Sequence, residues 1–517
     1  MKKNRLFLYN GNILPVHKAG SMASWLLAED GRIIQTGVGT YDLSWLQDST
    51  AIDLRGETVI PGLIDSHVHL VETALNEVSN SLDRCETMEG LLHRIRKAHV
   101  EQTQWGDMLH FNGLESSRLA EKRLPTRFDL DSAVKDKLVW VSSVEYHISV
   151  VNTICFRRLD LPYNLEGIQR DETGTPTGVL TGRANFYARR KLLGITSDKT
   201  RDKGVKGVLK RAVEKGVTTI NAMEGGFLFH DRDALYVHRN RERMPIDVEL
   251  FYQTTDVENA VAMGLSKVGG CIFVDGSFSS HTAALDYPYT DRPETSGTLY
   301  FQEEEVLDFV CNSMKHHLTV TMHAIGTRAI RQVLNAYRLG RKAFPHSAGI
   351  LRIEHFELPN PDLIDEAVMM NVILSMQPAY EYFWGGPGNM YEERLGIRRR
   401  KRTNPFRTLL EHGCVIAGGS DSDVTPIDPL LGVHAAVNHP TETERISVME
   451  ALKMFTCNGA KAIGQADQKG TIAPGYLADL CVLGHNPLTV SHENLKEIPV
   501  TGTIKAGRII HGLENRR

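Results

Sequence analysis

His67 and His69 stand one residue apart at the end of an apolar run, Val59-Ile60-Pro61-Gly62-Leu63-Ile64-Asp65-Ser66-His67-Val68-His69-Leu70. In an extended strand alternate residues share a face, about 6.6 Å apart, so both imidazoles can enter one cavity and hold one ion. Three more candidate ligands close apolar runs further along the chain. His323 ends Leu318 to His323, His355 ends Leu351 to His355, and Asp421 follows Val415 to Ser420. Imidazole and carboxylate suit zinc and its neighbours, and a site with an open position can activate water. Each residue alone has a plain alternative: a core histidine bonded to backbone, or an aspartate capping a helix. Their joint placement at strand ends points to a metal centre.

Such a centre needs a scaffold that brings several strand ends together. Between about 210 and 420, short β-rich runs alternate with helical stretches: Val217 to Met223, Asp247 to Tyr252, Cys271 to Val274, Leu318 to His323, Leu351 to His355, Val372 to Met376, and Cys414 to Gly419. With the strand ending in His67 and His69 this makes eight. That count and alternation predict an α/β fold, a (β/α)8 TIM barrel with its functional groups at the C-terminal strand ends. The expected barrel spans 61–464. Residues 75–210 are too long for a loop and read as an inserted subdomain able to lid the barrel mouth. Short strands in 1–60 and 465–517 predict a composite β-sandwich domain made from both termini.

Composition narrows the classes. The 517 residues are 41% hydrophobic, ample for a large core, and 59 basic against 63 acidic residues give a net charge of -4. No global field attracts nucleic acid or an anionic membrane. The run Arg398-Arg399-Arg400-Lys401-Arg402 reads as a solvated loop or subunit contact, and a homodimer is an admissible assembly. Gly385-Gly386-Pro387-Gly388 lacks the context of a phosphate loop. Seven scattered cysteines without CxxC spacing fit a reducing compartment. The N-terminus reads as a first strand rather than a signal peptide, and no run approaches the ~18 apolar residues of a membrane span. The expected location is cytoplasmic.

The sequence resembles the metal-dependent amidohydrolase superfamily, and within it the third large family, which includes N-substituted formamide deformylases. The resemblance rests on Pro61 to His69, Val274-Asp275-Gly276-Ser277 with Thr282-Ala283-Ala284, His323-Ala324-Ile325-Gly326, Arg352-Ile353-Glu354-His355, Gln377-Pro378, Gly419-Ser420-Asp421, and Pro474 to Asp479. It implies a hydrolase of carbon–nitrogen bonds other than peptide bonds, acting on a small-molecule amide such as an N-acyl or N-formyl amine. One or two divalent ions, zinc first among them, are implied, with His67 and His69 on one metal, His323 and His355 on a second, and Asp421 as ligand and general base.

The chain departs from the family pattern on strand four. Where relatives carry a carboxylated lysine bridging two metals, Cys271 stands, and we expect it to serve as a ligand. Lys267 lies four residues earlier, about 13 Å toward the opposite end of the barrel. Asp275 shares the parity of Cys271, although an Asp-Gly turn explains it equally well. Substrate contacts are expected from His147, Glu224, His281, which replaces a common arginine, and the aromatic loop residues Tyr380 and Trp384. Thr327 stands where relatives often have aspartate. A heterocycle deaminase on the same scaffold, or a non-catalytic regulatory protein, are the alternatives.

Overall fold

A computed structural model describes residues 4–16, 22–101, 108–143, 148–226, 229–513 and 516. Eight parallel strands form one sheet: strand one, Leu63–Val68; two, Val217–Glu224; three, Asp247–Tyr252; four, Lys267–Val268; five, Thr319–Ala324; six, Leu351–His355; seven, Ile373–Met376; and eight, Val415–Gly418. They pair in sequence order. Strand eight returns to strand one, where Asp421 N donates to His67 O at 2.8 Å and His69 N to Ser422 O at 2.7 Å. The sheet is a nearly closed TIM barrel. Strands one, two, five, six and seven are buried at every residue. Both faces of a parallel sheet are covered, so the strands read as continuous apolar runs rather than alternating ones.

The covering helices follow from helical periodicity. In Thr327–Ala343 the side chains of Ile330, Val333, Leu334 and Tyr337 are buried at i, i+3, i+4 and i+7. Tyr337 also donates its hydroxyl to the carbonyl of Arg352 at 2.6 Å. In the basic run, Arg399 donates to the Leu395 and Tyr287 carbonyls, Arg400 to Glu392, and Arg402 to the Pro359 carbonyl and Asn360. These are bonds within the chain.

Strand four corrects the sequence reading. The predicted strand Cys271 to Val274 is not one; strand four is only Lys267–Val268. Gly269 and Gly270, at φ of 99° and 58°, turn the chain out of the sheet. The segment beyond keeps two bonds to strand five, from His323 N to Ile272 O at 3.0 Å and from Val274 N to His323 O at 3.1 Å. Cys271 is thereby set beside His323. Lys267 pairs with Glu249 at 2.9 Å.

Two further sheets join the chain ends. One orders Arg32–Gly37, Trp25–Glu29, Arg5–Tyr9 and Thr50–Asp53; the other orders Asn12–Ile13, Thr58–Pro61, Leu480–Leu483, Val500–Lys505 and Arg508–His511. Leu6, Leu26 and Ile52 of the first share an apolar core with Val59, Leu480 and Ile504 of the second. These sheets and the barrel belong to one compact unit. A second unit comprises Leu70–Val208 and Gly225–Tyr236. It has a six-stranded sheet, a helix Met88–Val100 capped by Thr87, and its own core around Leu91, Ile95, Phe111 and Val141. Among the described residues no helix is long and apolar enough to cross a membrane.

A Cβ at Gly269 would lie 1.9 Å from the Thr321 carbonyl oxygen on a left-handed backbone. Gly269→Ala is therefore expected to cost at least about 2 kcal/mol and to lower the midpoint of thermal unfolding by about 2 °C or more. Calorimetry showing a midpoint within about 1 °C of the parent would contradict this account of strand four.

Candidate metal centre

His67, His69, Cys271, His323, His355 and Asp421 converge where the barrel strands end. Nε2 of His67 and Nε2 of His69 each lie 3.2 Å from Asp421 Oδ1. Cys271 Sγ lies 3.6 Å from His323 Nδ1 and 3.7 Å from His355 Nε2. The donor atoms of His67, Cys271 and His355 fall within 4.8 Å of one another, as do those of His67, His69 and Asp421. His67 belongs to both sets, so one cluster has two overlapping ligand groups.

The chain prepares three of these imidazoles for a cation. His67 directs Nδ1 to Glu354 Oε2 at 2.6 Å, His69 directs Nδ1 to the Met223 carbonyl at 3.1 Å, and His323 directs Nε2 to the Gly276 carbonyl at 3.1 Å. A nitrogen that donates to such an acceptor leaves the other ring nitrogen as a lone-pair donor toward the cluster, which is the second-shell pattern of metal-binding histidine. Nε2 of His67 and Oδ1 of Asp421 are buried without a hydrogen-bond partner among the described residues. Facing buried acceptors without a hydrogen-bond donor are the environment a cation satisfies. The donor set fits a divalent metal.

Burial alone would raise the Cys271 thiol, but the imidazoles of His67, His323 and His355 overcome it and hold the group well below the ordinary thiol value. Burial likewise opposes ionisation of Asp421, and His67 and His69 reverse that, keeping it far below the usual carboxylate range. For Asp65, burial wins over bonds from the Ser420 and His67 amides, and its carboxyl is pushed up to about 6.

The end of strand six and the loop after strand eight adopt backbone that non-glycine residues seldom use. His355 and Asp421 have φ of 74° and 52°. Such conformations cluster at functional sites because the surrounding fold must enforce them. Gly419 allows strand eight to approach strand one: a Cβ there would lie 2.7 Å from His67 N.

Four supporting residues have no role in the sequence reading or only an ambiguous one. Arg352 and Glu354 form a fully buried pair, Nε to Oε1 at 2.6 Å, and Glu354 carries His67. Asp65 bonds the Ser420 amide at 2.9 Å. Asp275 accepts from the amides of Ala284, Ile325 and Gly326 at 2.7 to 3.0 Å, a knot between the loops after strands four and five. Charged residues inside continuous apolar strands are the signal that marks Arg352 and Glu354 in sequence.

The expected substrate residues fare differently. Tyr380 reaches the cluster, stacking on His355 at 6.2 Å between ring centroids, and Trp384 packs edge-on against it at 5.0 Å. Glu224 is buried at the C-terminal end of strand two, next to the carbonyl that holds His69. His281 instead pairs with Asp291 at 2.9 Å and packs on Tyr289. No hydrogen bond or ion pair links it to the six cluster residues. His147 lies outside the described residues.

Comparison with known proteins accords with this geometry. The Bacillus subtilis protein YtcJ is 27% identical over 97% of this chain and 98% of its own length. An N-substituted formamide deformylase of Arthrobacter pascens is 25% identical over 97% of each. The crystal structure of a metal-dependent hydrolase from Pyrococcus furiosus superposes with a TM-score of 0.80 at 26% identity, covering 94% of this chain and 100% of that one. A family model described as "Amidohydrolase family" matches residues 50–511. The chain belongs to the amidohydrolase family and is a hydrolase of carbon–nitrogen bonds.

Proposed function

We propose that the protein hydrolyses a non-peptide amide, an N-acyl or N-formyl amine, at a zinc centre held by His67, His69, Cys271, His323, His355 and Asp421. The observation that carries this reading is the convergence of those donor atoms around partnerless His67 Nε2 and Asp421 Oδ1. The likeness to a formamide deformylase supports the N-formyl class. A thiolate beside imidazoles would favour zinc, with Cys271 among the residues that would hold it. When bound, the metal supplies a Lewis acid that lowers the pKa of water and polarises a carbonyl.

The chain supplies the rest. Cys271 and the histidines form a ligand wall whose imidazoles are oriented by Glu354, Met223 and Gly276. Asp421 faces His67 and His69, which hold its carboxyl well below the usual carboxylate range against the effect of burial. It takes the proton of the attacking water and delivers it to the departing nitrogen. Tyr380 beside His355, and Trp384 against Tyr380, present apolar ring surface suited to an apolar or aromatic substituent on the amide.

Two variants test the assignment. Asp421→Asn is expected to reduce turnover of N-formyl and N-acyl amines by about 10²- to 10⁴-fold with metal still bound; unchanged turnover removes Asp421 as the base. Cys271→Ala is expected to weaken zinc binding by more than about 100-fold, measured by elemental analysis and chelator competition. Equal metal content and affinity in parent and variant would strike Cys271 from the ligand set. Release of ammonia from aminated heterocycles, with no amide cleaved, would favour deamination instead.

A further inference from the structure

Tyr380 is the second residue of the helix Ala379–Trp384 that follows strand seven, and it is 7% exposed. Its hydroxyl donates to Asp421 Oδ2. The other carboxylate oxygen, Oδ1, faces His67 Nε2 and His69 Nε2 at 3.2 Å each. The two oxygens of an aspartate are chemically equivalent and exchange by rotation about Cβ–Cγ. A hydroxyl bonded to one of them breaks that equivalence.

The phenol is itself held. Glu381, next in sequence, accepts from Asn404 Nδ2 at 2.9 Å; the same amide reaches Glu357 Oε2 at 3.4 Å, and that oxygen accepts the Tyr391 hydroxyl at 2.6 Å. Asn404 N also donates to the Glu357 carbonyl at 2.7 Å. Glu357 lies two residues beyond His355. Asn404 therefore clasps Glu357, just beyond the end of strand six, to Glu381 on the helix that carries Tyr380.

We propose that Tyr380 is a positioning residue of the hydrolytic site: its hydroxyl fixes Asp421 Oδ2 so that Oδ1 alone is presented beside His67 and His69. The inference rests on the metal-centre reading above. It replaces the aromatic-wall role for the hydroxyl, while the ring keeps its stack on His355. Oδ2 retains a second lone pair on which Asp421 can receive a proton from water.

The test compares zinc-loaded parent, Tyr380→Phe and Tyr380→Leu. Three readouts are used: zinc affinity by chelator competition, the visible absorption of the cobalt-substituted proteins, and kcat and KM on whichever N-formyl or N-acyl amine the parent hydrolyses. Tyr380→Phe keeps the ring and is expected to retain the parent's melting temperature, to lose about 10- to 100-fold in zinc affinity, to shift the cobalt bands, and to lower kcat with KM within about twofold. Unaltered affinity and cobalt bands in Tyr380→Phe overturn the proposal, as does a defect confined to Tyr380→Leu, because the ring alone would then matter. A rise in KM at constant kcat also overturns it and restores the substrate-wall role. If the parent binds zinc and cleaves no amide, the proposed activity fails, yet affinity and cobalt spectra still decide the role of Tyr380.

Discussion

The buried Arg352–Glu354 pair is the interaction on which the rest of the barrel interior depends. Both side chains are completely buried, and the guanidinium reaches both carboxylate oxygens, the Ser375 hydroxyl and the Ser66 carbonyl while lying 4.6 Å over the Phe251 ring. Thr321 adds a hydroxyl to Glu354. One charge cluster thus touches strands one, three, five, six and seven. Burial opposes the charge on Glu354, and Arg352 with His67 holds it well below the usual carboxylate range. Removing one partner of such a pair typically leaves a buried charge worth about 3–5 kcal/mol. The same carboxylate fixes the ring of His67, so core packing and ligand orientation are one arrangement.

Around that core, backbone geometry does the aiming. His355, at the end of strand six, and Asp421, in the loop after strand eight, take left-handed backbone, and both side chains meet the cluster. Asp275 ties the loop after strand four to the start of the helix after strand five, which steadies His323 from the far side. Gly419 lets the loop after strand eight lie against His67. His67, His69, His323 and Asp421 are thus each held by a hydrogen bond from a neighbouring strand or loop, the support that a preorganised site requires.

Much of this was legible in the residues. The spacing of His67 and His69, and the apolar runs closing at His323 and His355, carry the barrel because strand periodicity and strand ends are local properties. Strand four was misread for a local reason too: Ile272-Phe273-Val274 has strand-like composition, while the outcome was decided by Gly269 against the Thr321 carbonyl, a contact 52 residues away in sequence. The six-stranded sheet of the second unit was largely missed because several of its strands are short and flanked by turns, as with Asn80–Ser81 and Ile168–Arg170. Tyr380 shows another limit. Its aromatic character places it near a mouth, but only the conformation of the loop after strand seven sends the hydroxyl to Asp421.

The cysteine on the segment after strand four, as a ligand, would change what a metal centre here needs in order to form. A carboxylated lysine forms only with dissolved carbon dioxide and reverts when the gas is withdrawn. A centre that uses Cys271 is encoded wholly by the polypeptide, so its assembly is indifferent to bicarbonate and sensitive to the oxidation state of one sulfur. At 1% exposure Cys271 is enclosed, its sulfur within 3.7 Å of the His323 and His355 rings.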